Sequence, residues 1–184
     1  MKKNISDEQI IVLIQEKETL EIGFQALVAS YSQALYWHIR RIVLSHENTD
    51  DVLQNVFMKA WLNIESFRAD SKLSTWLYRI AVNESLTYIN KHKERYTVDI
   101  DDPDLGLENL LKSDSYFNGE EVDIELQKAI HSLPEKQRLV FIMKYYDDLK
   151  YKEISDILGT SVGALKASYH HAVTKIEEYF NNLD

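Results

Sequence analysis

Cysteine is absent from this chain of 184 residues, and glycine and proline are scarce, at 5 and 2. Without cysteine there is no disulfide, no thiolate zinc site and no cysteine nucleophile. So few turn-forming residues leave little with which to build a β-sandwich or a barrel. Long apolar runs are missing too. The longest near the start is Ile10 to Ile14, far short of the ~20 residues that span a bilayer. After Met1-Lys2-Lys3-Asn4 come Asp7 and Glu8, where a signal peptide would turn apolar. A soluble cytoplasmic protein with no direct membrane insertion is expected. Positive charge is also in short supply. The 21 Lys+Arg stand against 30 Asp+Glu, a net charge of -9, which taken whole argues against phosphate binding. What remains is 45% hydrophobic, ordinary for a globular protein.

Almost all of it has helical periodicity. Ser6-Asp7-Glu8-Gln9 has the form of a capping box, followed by Ile10, Leu13 and Ile14 on one face. A second helix is expected from about Thr19 to Leu44, with Phe24, Leu27, Val28, Tyr31, Leu35, Ile39 and Ile42 at helical spacing. A third is expected to open at Thr49, with Asp50 and Asp51 in its first turn, where the helix dipole favours anions. A fourth starts around Ser71–Ser74 and ends on the basic Lys91-His92-Lys93.

The character then changes. Residues 96–123 carry nine Asp and Glu against Lys112 alone, with Pro103, Gly106 and Gly119. Such a stretch buries too little apolar surface to order itself and reads as a linker. It holds a net charge of -8, while residues 1–95 are neutral and residues 124–184 carry -1. The objection to nucleic acid therefore falls on the linker. Order is expected to resume at Ile124, with a helix to His131 and another opened by Leu133-Pro134-Glu135, Pro near its first position. Asp147-Asp148 breaks that helix. Tyr151–Leu158 and the helix after Ser161 are joined by Gly159-Thr160-Ser161, a helix-turn-helix pattern. Val162, Leu165, Tyr169, Ala172 and Ile176 are expected inward. Gly163, Ala164, Ala167, His170, His171 and Thr174 are expected outward between Lys166 and Lys175. Small residues at the start of such a face let a backbone approach DNA closely, though plain helix packing gives the same periodicity.

Chemistry of other kinds finds little support. His170 and His171 point about 100° apart on a helix and cannot chelate one ion. The pairs Asp50-Asp51, Asp101-Asp102 and Asp147-Asp148 stand where Asp is expected for local reasons. There is no nucleophile triad, glycine-rich phosphate loop or His-Glu-x-x-His. No enzyme activity, cofactor or metal is expected. The stretch from Ile64 to Arg79 is different. It mixes aromatics (Phe67, Trp76, Tyr78), cations (Arg68, Lys72, Arg79) and hydroxyls (Ser71, Ser74, Thr75), the combination that holds single-stranded DNA. The alternative is that Phe67 and Trp76 are core and the rest is surface.

Taken together, these motifs resemble the extracytoplasmic-function (ECF) group of bacterial RNA polymerase sigma factors. Asp51-Val52-Leu53-Gln54-Asn55-Val56-Phe57-Met58-Lys59-Ala60-Trp61 is similar to the region 2.2 helix. Phe67 to Asn83 looks like regions 2.3 and 2.4, Leu133 to Arg138 like the opening of region 4, and Ser161 to Ala172 like its recognition helix. The resemblance implies an all-α protein of two helical domains, sigma region 2 (1–95) and a sigma region 4 helix-turn-helix (124–184), around the acidic flexible linker 96–123. It implies a factor that binds core RNA polymerase, directs it to promoters and helps melt the minus-ten element. Core polymerase, through the β′ clamp helices and the β subunit, and promoter DNA are the partners it implies, and it admits an anti-sigma factor. It implies that Asp51, Gln54, Asn55, Phe57 and Trp61 dock on the polymerase. Phe67, Arg68, Ser71, Lys72, Ser74, Thr75, Trp76, Arg79 and Asn83 would meet minus-ten DNA. Ser161, Gly163, Ala164, Lys166, Ala167, His170 and His171 would meet minus-thirty-five DNA. Two departures stand out. Asn55 replaces a usual Glu, and Ala164, Ala167, Ser168 and His171 stand where Thr, Ser and Arg are usual, so a weaker or different minus-thirty-five preference is expected. A lone helix-turn-helix regulator would leave the region 2 strings unexplained, and an all-α adaptor that never touches nucleic acid is told apart by a gel shift on promoter DNA with core polymerase present.

Overall fold

The computed structural model describes residues 5–67, 69–92 and 121–183, with the side chains of 121–123 and the placement of Arg68 left out. Within these residues every regular element is helical: α1 (Asp7–Gln15), α2 (Leu20–Val43), α3 (His46–Asn63), a 3-10 turn (Ile64–Ser66), α4 (Leu73–Lys91), α5 (Glu121–Ser132), α6 (Glu135–Tyr145), α7 (Tyr151–Leu158) and α8 (Val162–Asn181). The architecture is all-α, as the periodicity predicts. The expected linker, 96–123, lies outside the described residues except for its last three positions. Those three belong to α5, which is described from Glu121 and is therefore already helical before the expected Ile124.

The first four helices pack as one group and the last four as another. In the first, the capping box forms as read. Ser6 Oγ accepts from the Gln9 amide and Gln9 Oε1 from the Ser6 amide. Tyr31 donates its hydroxyl proton to Asp7, 2.7 Å away, pinning α1 to α2. The helices touch at Gly23, where an added Cβ would lie 2.8 Å from the Ile14 backbone nitrogen. Only a residue without a side chain allows that approach. Leu27, Leu35, Ile39 and Ile42 of α2, Val52, Val56 and Ala60 of α3, and Leu73, Leu77 and Ala81 of α4 close the core.

α3 begins earlier than its sequence suggests. Ser45, not Thr49, caps it, and Thr49 is buried one turn in, its hydroxyl donating to the Ser45 carbonyl at 2.7 Å. α2 ends on Leu44 at φ 66, so the chain reverses sharply and Ser45 is the first residue able to cap. At the start of α6, Pro134 is the N-cap rather than the first helical residue.

In the second group, Gly159 takes φ 64 and ends α7, while Ser161 Oγ accepts from the Ala164 amide and caps α8. The left-handed φ is cheap only for glycine. Leu165, Ala172 and Ile176 of α8 face inward with Ile154 and Ile157 of α7. Val162, expected inward, is 37% exposed. It lies in the first turn, before the helix reaches its neighbours.

Candidate docking surface and nucleic-acid interface

α3 offers one broad exposed arc. Its buried side is Thr49, Val52, Val56 and Ala60. At 100° per residue, the other side runs through Phe57, Trp61, Gln54, Met58, Asp51, Leu62 and Asn55. Asp51, Gln54 and Asn55 are fully exposed, Phe57 is half-buried, and Trp61 stands edge-on to Phe24 with ring centres 4.9 Å apart. All five candidate docking residues thus lie on one surface. Met58 and Leu62, 55% and 73% exposed, lie there too and were not picked out from the sequence. Their signal was present, since each follows Gln54 by a multiple of four. Asp51, Gln54 and Asn55 also form one wall of a groove of about 430 Å³ between α3 and α4, faced by Glu84, Thr87, Tyr88, Lys91 and His92. A salt bridge from Lys59 to Glu84 ties the two helices.

The minus-ten candidates divide in two. Phe67 and Thr75 are buried, 8% and 4% exposed. The Phe67 ring packs 5.1 Å from Trp76 and supports it from below. Lys72, Trp76, Arg79 and Asn83 recur at intervals of four, three and four and so share one face of α4. Lys72, Arg79 and Asn83 are exposed, and Ser71, Ser74 and Trp76 are half-exposed beside them. In the preceding loop Ala69 holds φ 56, a conformation that residues with a Cβ seldom adopt. The face presents two cations and one supported aromatic plane.

The outer face of α8 is smooth. Ser161, Gly163, Ala164, Lys166, Ala167, His170 and His171 are all exposed. A Cβ at Gly163 would meet nothing within 4 Å. The rings of His170 and His171 are 6.0 Å apart and diverge. Among the described residues no group of three His, Asp or Glu could hold a metal ion. Lys166 and Lys144 both lie over the ring of Tyr151, 5.9 and 5.8 Å from its centre.

Between the groups runs a seam that sequence reading missed. α4 packs on α7, and α2 on α6. His38 Nδ1 of α2 lies 2.6 Å from Asp147 Oδ2, and both side chains are almost fully buried, at 0% and 4% exposure. Arg41 lies 3.6 Å from the same carboxylate and 4.4 Å over the ring of Tyr146. The Tyr78 ring packs on His38, and burial together with the nearby Asp147 charge pushes its hydroxyl pKa up. At the edge of the seam Lys72 Nζ is 2.7 Å from Glu153 Oε1, and Arg79 donates to the Asp156 carbonyl. The hydrogen bond from Lys72 holds the Glu153 carboxyl below its ordinary range. Asp147, read from sequence as a helix breaker, does end α6, and it also joins residues 109 positions apart.

One half-buried histidine, its Nε2 shut off from solvent, sets an acid limit on the second group. His131 donates from Nδ1 to the Gln127 carbonyl at 2.9 Å, while Nε2 is shut off from solvent without a partner among the described residues. Burial, then the neighbouring Arg138 charge, push its pKa down to about 4. The folded state therefore binds its proton less readily than the unfolded chain. Its neutral form adds no penalty above about pH 6.5, and stability falls as pH drops from there towards 4. At about 1.4 kcal/mol per pKa unit, the loss at pH 5 relative to pH 7 is about 2 kcal/mol. Urea melts of the parent and His131→Gln at these two pH values check it. The parent should lose about 2 kcal/mol more than the variant, and equal losses would refute the assignment.

Comparison with known proteins agrees with this geometry. Residues 27–95 match the family model Sigma-70 region 2, and residues 123–176 match Sigma-70, region 4. The ECF RNA polymerase sigma factor SigW of Bacillus subtilis is 30% identical over 177 residues, covering 92% of this chain and 95% of that protein. The ECF RNA polymerase sigma-E factor of Haemophilus influenzae is 28% identical over the full length of both chains. Among solved structures, CnrH in complex with the cytosolic domain of CnrY aligns with a TM-score of 0.71 at 19% identity, over 96% of this chain and 97% of that one. The sigma factor RpoE of Bartonella quintana, in complex with the anti-sigma factor NepR, aligns at 0.66 and 21% identity, over 86% of this chain and 96% of that one. Two family models in the right order, over the two helical groups, and a relative alike from end to end leave one reading: the chain belongs to the ECF RNA polymerase sigma factors.

Proposed function

We propose that this promoter-directing factor divides its work among three surfaces. The exposed arc of α3, with Asp51, Gln54, Asn55, Phe57 and Trp61, seats it on the β′ clamp helices of core polymerase. The face of α4 captures the displaced minus-ten strand, with Lys72 and Arg79 on phosphates and Trp76 under an unstacked base. Phe67 and Thr75 act from beneath, holding Trp76 and the loop in place. The start of α8 lies in the minus-thirty-five major groove, and Ser161, Gly163, Ala164, Lys166, Ala167, His170 and His171 meet DNA. The domains implied are 1–95 and 124–184, joined by the acidic stretch 96–123. All chemistry is left to the polymerase, and the factor works in the cytoplasm beside it.

The observation that carries this reading is the α4 face. Lys72, Trp76, Arg79 and Asn83 line up on one helix with a supported aromatic among them. Unstacking a base costs a few kcal/mol, and a stacking plane with flanking cations supplies the return. No sequence-neutral helical surface needs that order. Run-off transcription with purified core polymerase on a genomic library tests the function and yields the promoter sequence. Specific transcripts that vanish without the factor are expected. Core-dependent initiation that is unchanged by adding it would overturn the reading.

A further inference from the structure

The outer face of α8 divides by angle. At about 100° per residue, Gly163, Ala167 and Thr174 fall along one narrow central ridge. His170 and Lys166 stand on one flank of that ridge, His171 and Lys175 on the other. All four flanking side chains are exposed. The two imidazole rings diverge, 6.0 Å apart, and neither has a hydrogen bond or ion pair among the described residues. A helix seated in the major groove turns its ridge toward the base edges and its flanks toward the two sugar-phosphate walls. A ridge as low as Gly163 and Ala167 lets the helix sink until its flanks reach those walls.

The fixed cations of this face are Lys166 and Lys175, and protonation of both imidazoles would double the positive charge. Histidine is the side chain whose charge ordinarily changes between about pH 5 and 8, and a phosphate beside it favours the charged form. Little else competes for these rings. The nearest acids along α8, Glu177 and Glu178, lie about two turns on, about 10 Å along the axis. On the helices packed against α8, Glu125 and Lys128 pair with each other, Arg138 donates to the His131 carbonyl, Lys144 lies over Tyr151 and Glu153 holds Lys72. Glu135, Lys136, Lys152 and Asp156 of those helices form no bond or ion pair with either ring.

We propose that His170 and His171 each grip a phosphate, one on either wall of the minus-thirty-five groove, and do so as imidazolium ions. The proposal rests on the reading of α8 as the helix in that groove. Each histidine takes one proton from solvent on binding and donates an N–H to a phosphate oxygen. The grip on the element therefore tightens as pH falls, while the ridge residues face the bases in both protonation states.

Holoenzyme assembled from purified core polymerase and the full-length factor tests this, with a fluorescein-labelled duplex pool enriched on it from random sequence as the probe. Anisotropy titrations over a salt series are run at about pH 6 and about pH 8, either side of the ordinary histidine pKa. At the lower pH the parent should bind at least about fivefold more tightly than the double variant His170→Gln with His171→Gln. Its logarithmic salt slope should be steeper by about 1 to 2, one phosphate contact for each imidazolium. At the higher pH the two proteins should nearly coincide. His170→Arg with His171→Arg should keep the acid-pH grip at both. His131 is intact in every variant, so its acid sensitivity cancels in these differences. Equal salt slopes in parent and glutamine variant at both pH values overturn the proposal. A loss that is the same at both, with a changed base preference in a re-enriched pool, also overturns it, because the rings then read bases in their neutral form. Lys166→Ala isolates the premise and should weaken binding at both pH values. If neither it nor the histidine variants weaken binding at either, the placement of α8 in the groove is what fails.

Discussion

Leu62→Lys is expected to weaken capture of core RNA polymerase by about thirtyfold and leave the free protein's melting almost unchanged. Leu62 is 73% exposed, and Met58 and Trp61 on the same arc are 55% and 39% exposed. A single exposed leucine is unremarkable on any protein surface. Three large apolar side chains along one helix, between Asp51, Gln54 and Asn55, form a patch with a purpose. Burying such an anchor in a partner contributes about 2 kcal/mol or more when it lies near the centre of an interface, which is about thirtyfold in affinity. An ammonium at that position would have to be desolvated on docking. The free protein gains nothing from Leu62, so surface replacement there should move its stability by no more than about 0.5 kcal/mol. Fluorescence anisotropy of the labelled factor titrated with core polymerase reads the first quantity, and a thermal melt reads the second. Undiminished binding would remove the arc of α3 as the docking surface. Gln54→Ala with Phe57→Ala should weaken binding too, but half-buried Phe57 also packs on the core, so that pair confounds docking with stability.

Trp76→Ala is expected to lower promoter opening at least tenfold while polymerase binding persists. Stacking of a base on an aromatic ring contributes about 1–3 kcal/mol, or about five- to 150-fold. The Trp76 ring is half-exposed, and buried Phe67 lies 5.1 Å behind it. The indole is presented on a fixed support rather than hung in solvent. Its loss removes the plane, and the capture of the flipped base loses its main return. Permanganate reactivity of minus-ten thymines measures opening, and co-purification with core polymerase controls for folding and docking. Trp76→Phe, which keeps a ring on the same support, should recover part of the signal. Full opening by the alanine variant would sink the stacking role.

Local signals were the legible part of this fold. The Ser6 and Gln9 capping box, the Gly159 reversal and the Ser161 cap are settled within a few residues of chain, and each forms as read. Misreadings came where two local signals competed. Thr49-Asp50-Asp51 looks like a helix start, but the left-handed Leu44 lets the chain turn earlier and gives the cap to Ser45. Residues 121–123 look like linker composition and lie in helix α5. The α4 residues were legible by type and spacing. Which of them face outward was not, because burial of Phe67 and Thr75 depends on packing against other helices. The seam was invisible for the same reason. Nothing near Asp147 in the sequence points to His38, 109 positions away. Net charge concealed rather than revealed: the basic face of α4 is two cations wide, too small to register against nine acids between 96 and 123.

The smoothness of α8 has a consequence for how such a protein changes over generations. Gly163, Ala164 and Ala167 place almost no side-chain atoms on the outer face, and a Cβ at Gly163 would meet open space. A recognition helix crowded with readers must lose one contact to gain another. Here one substitution to arginine or asparagine adds a hydrogen-bonding reader in place of a small contact and without strain in the core. A bidentate contact contributes about 1–3 kcal/mol of discrimination, enough to favour a new set of promoters in one step. Around Lys166, His170 and His171 the helix keeps open positions, so new contacts can be added to its outer face one substitution at a time.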